Sequence, residues 1–174
     1  MPPGRTRLYA DNAARQRAYR AREAPRRAQR TRKVYHLSQT DEWETPQPFF
    51  DQLHAEFGFT LDVAATAQNA KCVRYFTKDD DGLARDWGQE ICWMNPPFKQ
   101  SLDVWMHKAF ESAQAGALVV CLVPSRTDRP WWRAYAMRGE CRFVEGRLKF
   151  GGSPYNAPFP NAIIIFRPPM YGDR

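Results

Sequence analysis

Long hydrophobic runs, cysteine pairs and regularly spaced histidines are all missing from this sequence. Within its 174 residues, no apolar stretch approaches the roughly 20 residues that a membrane-spanning helix needs. No CxxC pair occurs, which favours buried free thiols in a reducing cytoplasm over a disulfide framework for Cys72, Cys92, Cys121 and Cys141. We predict no metal site, because metal-ligand spacing is absent among His36, His54 and His107.

Acidic residues are scarce in the first 33 positions, where 11 Lys and Arg residues face only Asp11 and Glu23. The resulting net charge of +9 leaves −2 for residues 34–174. The segment has too few large apolar residues for a core of its own, and it lacks the apolar part of a signal peptide. We interpret residues 1–33 as a flexible or helical arm that binds nucleic acid through phosphates; a solvated tail and a mitochondrial presequence are the alternatives. Its candidate contacts are Arg15, Arg17, Arg20 and Arg22.

Residues 34–174 alternate between helix-like and strand-like segments, which predicts one α/β domain built on a doubly wound sheet. Thr45 is predicted to cap a helix that starts at Pro46 and stops at Gly58, with further helices at 101–116 and, capped by Asp128, at 128–139. Strands are predicted at 59–65, 71–76, 91–94, 117–124 and 161–166, and a hairpin is predicted to turn at residues 145–146. Ligands of such sheets bind at the carboxyl ends of the strands.

One of these carboxyl ends carries the stretch ICWMNPPFKQ, residues 91–100. Asn95 offers a side-chain carbonyl acceptor, and Pro96 and Pro97 have a fixed φ and no N–H group. A rigid loop that displays carbonyl oxygens beside the ring of Phe98 suits a planar group bearing an amine, such as a nucleobase taken out of its stack. A proline-rich turn closed by a core phenylalanine is the alternative.

The Asn-Pro-Pro-Phe stretch resembles motif IV of amino-methyltransferases that use S-adenosylmethionine. The wider pattern is similar to the phage-type DNA N-6-adenine methyltransferase family, through pieces that follow one another from Trp43 to Phe166: WETP, FTLDVAA, YFTKDDDGLARDW, NPPF, LVVCLVPSR, GRLKF and FPNAIIIF. The resemblance implies a Rossmann-like class I methyltransferase sheet with helices on both faces. It also implies transfer of a methyl group from S-adenosyl-L-methionine to the 6-amino group of a flipped adenine in DNA. We expect a monomer in the cytoplasm of a bacterial host.

The resemblance assigns a role to each motif residue. Asn95 and Pro96 would hold the target amine, Pro97 would fix the loop, and Phe98 would stack on the base. The implied cofactor-binding residues are Trp43, Thr45, Pro46, Asp62 and Asp81, with Asp79 and Asp80 open as alternatives to Asp81.

The sequence departs from the family after Asp62, where DVAATAQNA stands in place of the Gly-rich loop of motif I. The backbone must therefore approach the cofactor differently. The segment from Asp62 to Asn95 is also too short for a full methyltransferase sheet, so we predict a trimmed sheet that lacks one strand and a helix. It leaves no room for a recognition insert either, which predicts a target of about one to three bases around the adenine.

Several features have two interpretations from the sequence. Arg126 and Arg147 are candidate DNA contacts, with surface ion pairs as the alternative. Trp131 and Trp132 either stack on bases or pack on the sheet, and Cys92 is interpreted as a core thiol rather than a nucleophile. An RNA or protein amino-methyltransferase, and a non-catalytic DNA-binding remnant of the fold, are the alternative functions.

Overall fold

The computed structural model describes residues 43–98 and 101–169, together with Ala14. The predicted arm, with Arg15, Arg17, Arg20 and Arg22, lies outside the described residues. Those from Trp43 onward form one compact unit. The boundary at residue 33 therefore stays a prediction.

Six strands and three α-helices alternate along the described residues from Trp43 onward. The strands are β1 (Leu61–Asp62), β2 (Arg74–Tyr75), β3 (Ile91–Met94), β4 (Leu118–Pro124), β5 (Glu140–Phe143) and β6 (Asn161–Phe166). The helices are α1 (Gln47–Phe57), α2 (Leu102–Gln114) and α3 (Pro130–Ala134), with 3-10 turns at Ala136–Arg138 and Phe150–Gly152. None of the helices described is long and apolar enough to cross a membrane.

The strands form one sheet in the order β2-β1-β3-β4-β6-β5. β1 pairs in parallel with both β2 and β3, and β3 pairs in parallel with β4. β6 runs antiparallel to both of its neighbours, β4 and β5. A parallel sheet with one reversed strand beside its edge is the class I methyltransferase arrangement, so the prediction of a trimmed sheet of this class is confirmed.

The sheet is covered on both faces, which explains why β4 is apolar throughout. Val120 and Leu122 enter the core on the α1 side, whereas Val119, Cys121 and Val123 enter the core on the α2 side. Strands buried on both faces lose the apolar–polar alternation of a half-exposed strand. The predicted placement of helices on both faces is therefore confirmed.

Helix α1 ends as predicted but does not begin as predicted. Gly58 has a left-handed φ of 68°, and its N–H donates to the His54 carbonyl oxygen at 2.8 Å. The N-cap is Pro46, however, and Thr45 makes no capping hydrogen bond. The Thr45 hydroxyl instead accepts a hydrogen bond from Asn95 Nδ2 at 3.0 Å. The predicted Thr45 cap is wrong because this hydroxyl serves the loop after β3.

Three other local predictions are wrong. The hairpin at Glu145 and Gly146 does not form, because β5 pairs with β6, across the loop of residues 144–160. A glycine turn between apolar segments does not reveal whether the partner strand lies next in the sequence or further along. Asp128 does not cap α3, whose N-cap is Arg129, and β1 spans two residues rather than the predicted seven.

Candidate active site

The carboxyl ends of β1 and β3 open onto a cavity of about 360 Å³, within the size range of small-molecule sites. Segments far apart in the sequence meet around it. The predicted site residues that line it are Trp43, Thr45, Asp62, Asp81, Asn95, Pro96 and Pro97. In the described part of the chain, no group of three His, Cys, Asp or Glu side chains is arranged to hold a metal ion.

Asn95 points an unpaired acceptor away from its anchoring contacts. Its Nδ2 donates to the Trp43 carbonyl oxygen at 2.5 Å and to Thr45 Oγ1 at 3.0 Å. A carbonyl oxygen can only accept, so the nitrogen of the Asn95 amide must face Trp43. The other amide atom, Oδ1, is buried and has no hydrogen-bond partner among the described residues. A buried acceptor left unpaired costs about 1–3 kcal/mol, which a ligand that donates a hydrogen bond would relieve.

Trp43 is held in turn by aromatic rings from the loop between β5 and β6. Its ring lies edge-on to Phe150 at 5.4 Å and to Phe159 at 5.2 Å, measured between centroids. Glu44 accepts a backbone hydrogen bond from Gly151 of the same loop at 2.9 Å. The WETP element therefore positions Asn95 as well as lining the cavity.

Asp62 organises the loop of small residues that replaces the glycines of motif I. Its carboxylate accepts the backbone N–H of Ala64 at 3.3 Å and that of Lys71 at 3.0 Å. Burial raises the pKa of Asp62 to about 6, although these hydrogen bonds work in the opposite direction. At neutral pH the carboxylate is largely ionised, and it holds both ends of this loop at the cavity.

Of the three consecutive acids, Asp81 alone lines the cavity. The Asp80 carboxylate is occupied, since it accepts the Thr77 N–H at 2.8 Å and the Thr77 hydroxyl at 2.7 Å. Asp81 has a left-handed φ of 52°, uncommon for a residue other than glycine. The next residue, Gly82, passes so close to the loop after β1 that a Cβ would stand 2.3 Å from the Val63 carbonyl oxygen. The Asp-Gly pair thus fixes this wall of the cavity.

Phe98 is not open to the cavity in this structure. Its side chain is 2% exposed. The ring lies edge-on to Phe150 at 6.2 Å and to Phe159 at 5.8 Å between centroids. Stacking of Phe98 on a base stays a prediction, and it requires these rings to rearrange.

Of the other predicted site residues that the structure describes, Pro46, Arg126 and Arg147 do not line the cavity. Arg126 follows β4, and Arg147 donates hydrogen bonds to carbonyl oxygens of its own loop, so their contacts with DNA stay predictions. Trp131 and Trp132 are buried in the core on the α2 side, which favours the packing alternative. Burial raises the pKa of Cys92 to about 12, as expected for a core thiol rather than a nucleophile.

Sequence reasoning missed Lys71, which lines the cavity beside the WETP element. Its Nζ lies 3.4 Å from Glu44 Oε1 and 3.1 Å from Gln47 Oε1. The one available signal was a lysine at the start of KCVRYF, a segment predicted to be a strand. A cation at such a position needs a partner, and the sequence does not show which segment supplies it.

A class I methyltransferase sheet with Asn95, Pro96 and Pro97 lining a cavity at its carboxyl edge fits the class of amino-methyltransferases. Residues 33–166 match the model of one such family, described as DNA N-6-adenine-methyltransferase (Dam). The match covers most of the chain, and the chain belongs to this family.

Individual relatives are similar over shorter stretches. The DNA N-6-adenine-methyltransferase of Escherichia phage T1 is 29% identical over 94 residues, which cover 53% of this chain and 39% of that protein. The DNA N-6-adenine-methyltransferase of Haemophilus phage HP1 (strain HP1c1) is 30% identical over 97 residues, covering 55% of this chain and 56% of the relative. The putative methyltransferase YfdM of Escherichia coli (strain K12) is 37% identical over 65 residues, which cover 33% of this chain and 71% of that protein. The matches thus span about two fifths and just over half of the two phage proteins.

Proposed function

We propose that this chain transfers a methyl group from S-adenosyl-L-methionine to the 6-amino group of adenine in DNA. The observation that supports this most is the buried, unpaired Oδ1 of Asn95 at the edge of the cavity. An exocyclic amine is a donor that such an acceptor can bind. Family membership and the printed names of the two phage relatives support DNA adenine as the substrate.

The cavity has the chemistry that this cofactor requires. Trp43, Thr45, Asp62 and Asp81 would hold it, with Pro46 setting the start of α1 behind them. Carboxylates suit a ligand that carries a sulfonium, an ammonium and ribose hydroxyl groups. When bound, S-adenosyl-L-methionine supplies a methyl group already activated by its sulfonium.

The loop after β3 would align the nucleophile. The lone pair of the adenine 6-amino group is delocalised into the ring, so the nitrogen is a poor nucleophile. Asn95 Oδ1 and the Pro96 carbonyl oxygen would accept its two N–H groups and favour a pyramidal nitrogen with its lone pair directed at the methyl group. Pro97 has a fixed φ and limits movement of the loop. Pre-alignment of this kind contributes several kcal/mol to a rate.

DNA would reach the site through contacts outside the cavity. We propose that residues 1–33 supply sequence-independent affinity for phosphates and that Arg126 and Arg147 also contact the DNA. Phe98 would stack on the flipped adenine after its ring leaves the contacts with Phe150 and Phe159. The enzyme would act as a monomer on a target of about one to three bases.

The deciding experiment supplies labelled S-adenosyl-L-methionine with DNA, RNA and protein in parallel reactions. Label in 6-methyladenine from digested DNA is the expected result, and mapping of the methylated positions gives the target length. Label in RNA or protein alone would favour an amino-methyltransferase of another substrate class. Cofactor binding by calorimetry without transfer to any substrate would favour a non-catalytic remnant of the fold.

A further inference from the structure

Lys71 is a nearly buried lysine that lines the cavity. Its side chain is 9% exposed. Its backbone N–H donates to Asp62, and its ammonium contacts Glu44 and Gln47. The residue therefore joins the loop after β1 to the segment that begins α1.

The ammonium of Lys71 has donor capacity beyond these two contacts. An ammonium carries three N–H groups, and the side-chain oxygens of Glu44 and Gln47 take two of them. A nearly buried ammonium is costly unless its hydrogen bonds and charge are satisfied. Lys71 lines the cavity, and an acceptor on a ligand bound beside this ammonium would take its third N–H.

The charges around the cavity are not of one sign. Glu44, Asp62 and Asp81 are the carboxylates that line it, and Lys71 and Lys78 are the cations among the described lining residues. Lys78 is exposed, whereas Lys71 is held at the wall next to the WETP element. A ligand with two positive groups and one carboxylate would match this set if Lys71 received the carboxylate.

We propose that the Lys71 ammonium binds the carboxylate of the cofactor's amino-acid part and so selects for cofactors that carry it; this inference rests on the proposed function. Glu44 and Gln47 then position the ammonium. A purely structural Lys71 that only joins two segments is the competing explanation, and it predicts no preference for a carboxylate.

Calorimetry on the full chain separates these explanations, with S-adenosylhomocysteine and its decarboxylated analogue as the two probes. They differ only in the carboxylate. We expect the wild-type protein to prefer S-adenosylhomocysteine about tenfold or more, in line with a hydrogen bond between charged groups. Lys71→Met should abolish the preference by weakening S-adenosylhomocysteine alone. Lys78→Met is the matched control and should keep the preference.

Two results would overturn the inference. One is a wild-type protein that binds both probes equally, and the other is a Lys71→Met variant that weakens both equally. If Lys71→Met does not fold, Lys71→Gln is measured by the same criteria. Equal binding of the two probes by the wild-type protein would still overturn the inference. A protein that shows the Lys71-dependent preference yet methylates no DNA would contradict the proposed function while leaving this inference standing.

Discussion

Replacing Asn95 with alanine separates catalysis from folding at this site. The substitution removes Oδ1, the proposed acceptor for the target amine, together with the Nδ2 contacts to Trp43 and Thr45. Loss of one aligned hydrogen-bonding group at a reaction centre costs about 3 kcal/mol of barrier, or about a hundredfold in rate. We therefore expect single-turnover methylation to fall at least about a hundredfold.

The same substitution has a calculable effect on stability. Two hydrogen bonds are lost, each contributing about 1 kcal/mol, while an unpaired buried acceptor at Oδ1 is removed and offsets part of the loss. A net loss of about 1 kcal/mol lowers the melting temperature by roughly 2–8 °C in a domain of this size. The protein should stay folded and should bind S-adenosylhomocysteine nearly as well as the wild type.

The control for Asn95→Ala is Thr45→Val, which removes one anchor of the amide and leaves Oδ1 in place. Its stability should fall by a similar amount, whereas its rate should fall much less. Both variants are compared by quenched single-turnover assays with labelled cofactor, by melting curves and by calorimetry. Wild-type rates in a folded Asn95→Ala protein would show that the loop after β3 is only a turn.

Four further changes test other parts of the structure. Phe98→Ala should reduce the free energy of unfolding in urea by about 3–5 kcal/mol, because the ring is buried; an unchanged midpoint would contradict this packing. Gly82→Ala should weaken cofactor binding and stability together in calorimetry and melting, since its Cβ would meet the Val63 carbonyl oxygen; wild-type affinity would contradict the close approach. Burial raises the pKa of Asp62 to about 6 in the folded protein, so its stabilising contribution is full below about pH 4 and is lost as the pH rises through 6. Relative to Asp62→Asn, the wild type should lose about 2–3 kcal/mol between pH 4 and 7, and a constant difference would exclude this titration. Deleting residues 1–33 should weaken DNA binding and flatten its salt dependence while cofactor binding stays unchanged, and an unaltered salt slope would refute the arm.

Much of the fold follows from the sequence because β3, β4 and β6 are short, largely apolar segments bounded by turn residues. The predicted bounds of the strands at 91–94 and 161–166 agree to the residue with those of β3 and β6. β1 was overestimated because an apolar segment continues past Asp62, although only two of its residues pair on both sides. Pairing depends on the partner strands, which the sequence of one segment does not contain.

The site was predictable where a residue acts through its own chemical type. The carboxamide of Asn95 could be singled out because it stands at the end of a predicted strand, whereas Asp62 and Asp81 were assigned through the family resemblance. The wrong Thr45 cap and the missed Lys71 have a different origin. Thr45 contacts Asn95, about 50 residues away in the chain, and Lys71 contacts Glu44, 27 residues away. No local sequence pattern reports contacts over such separations.

The absence of glycines after β1 is accompanied by a glycine in the segment that packs directly against the loop after β1. A Gly-rich loop serves to let backbone pass close to a ligand or to another backbone segment. Here Val63 and Ala64 carry side chains, and the glycine stands instead at Gly82, where a Cβ would meet the Val63 carbonyl oxygen at 2.3 Å. Asp62 fixes the loop after β1 through the N–H groups of Ala64 and Lys71. One carboxylate and one neighbouring glycine thus fix the loop after β1 at the cavity without a run of glycines in the loop itself.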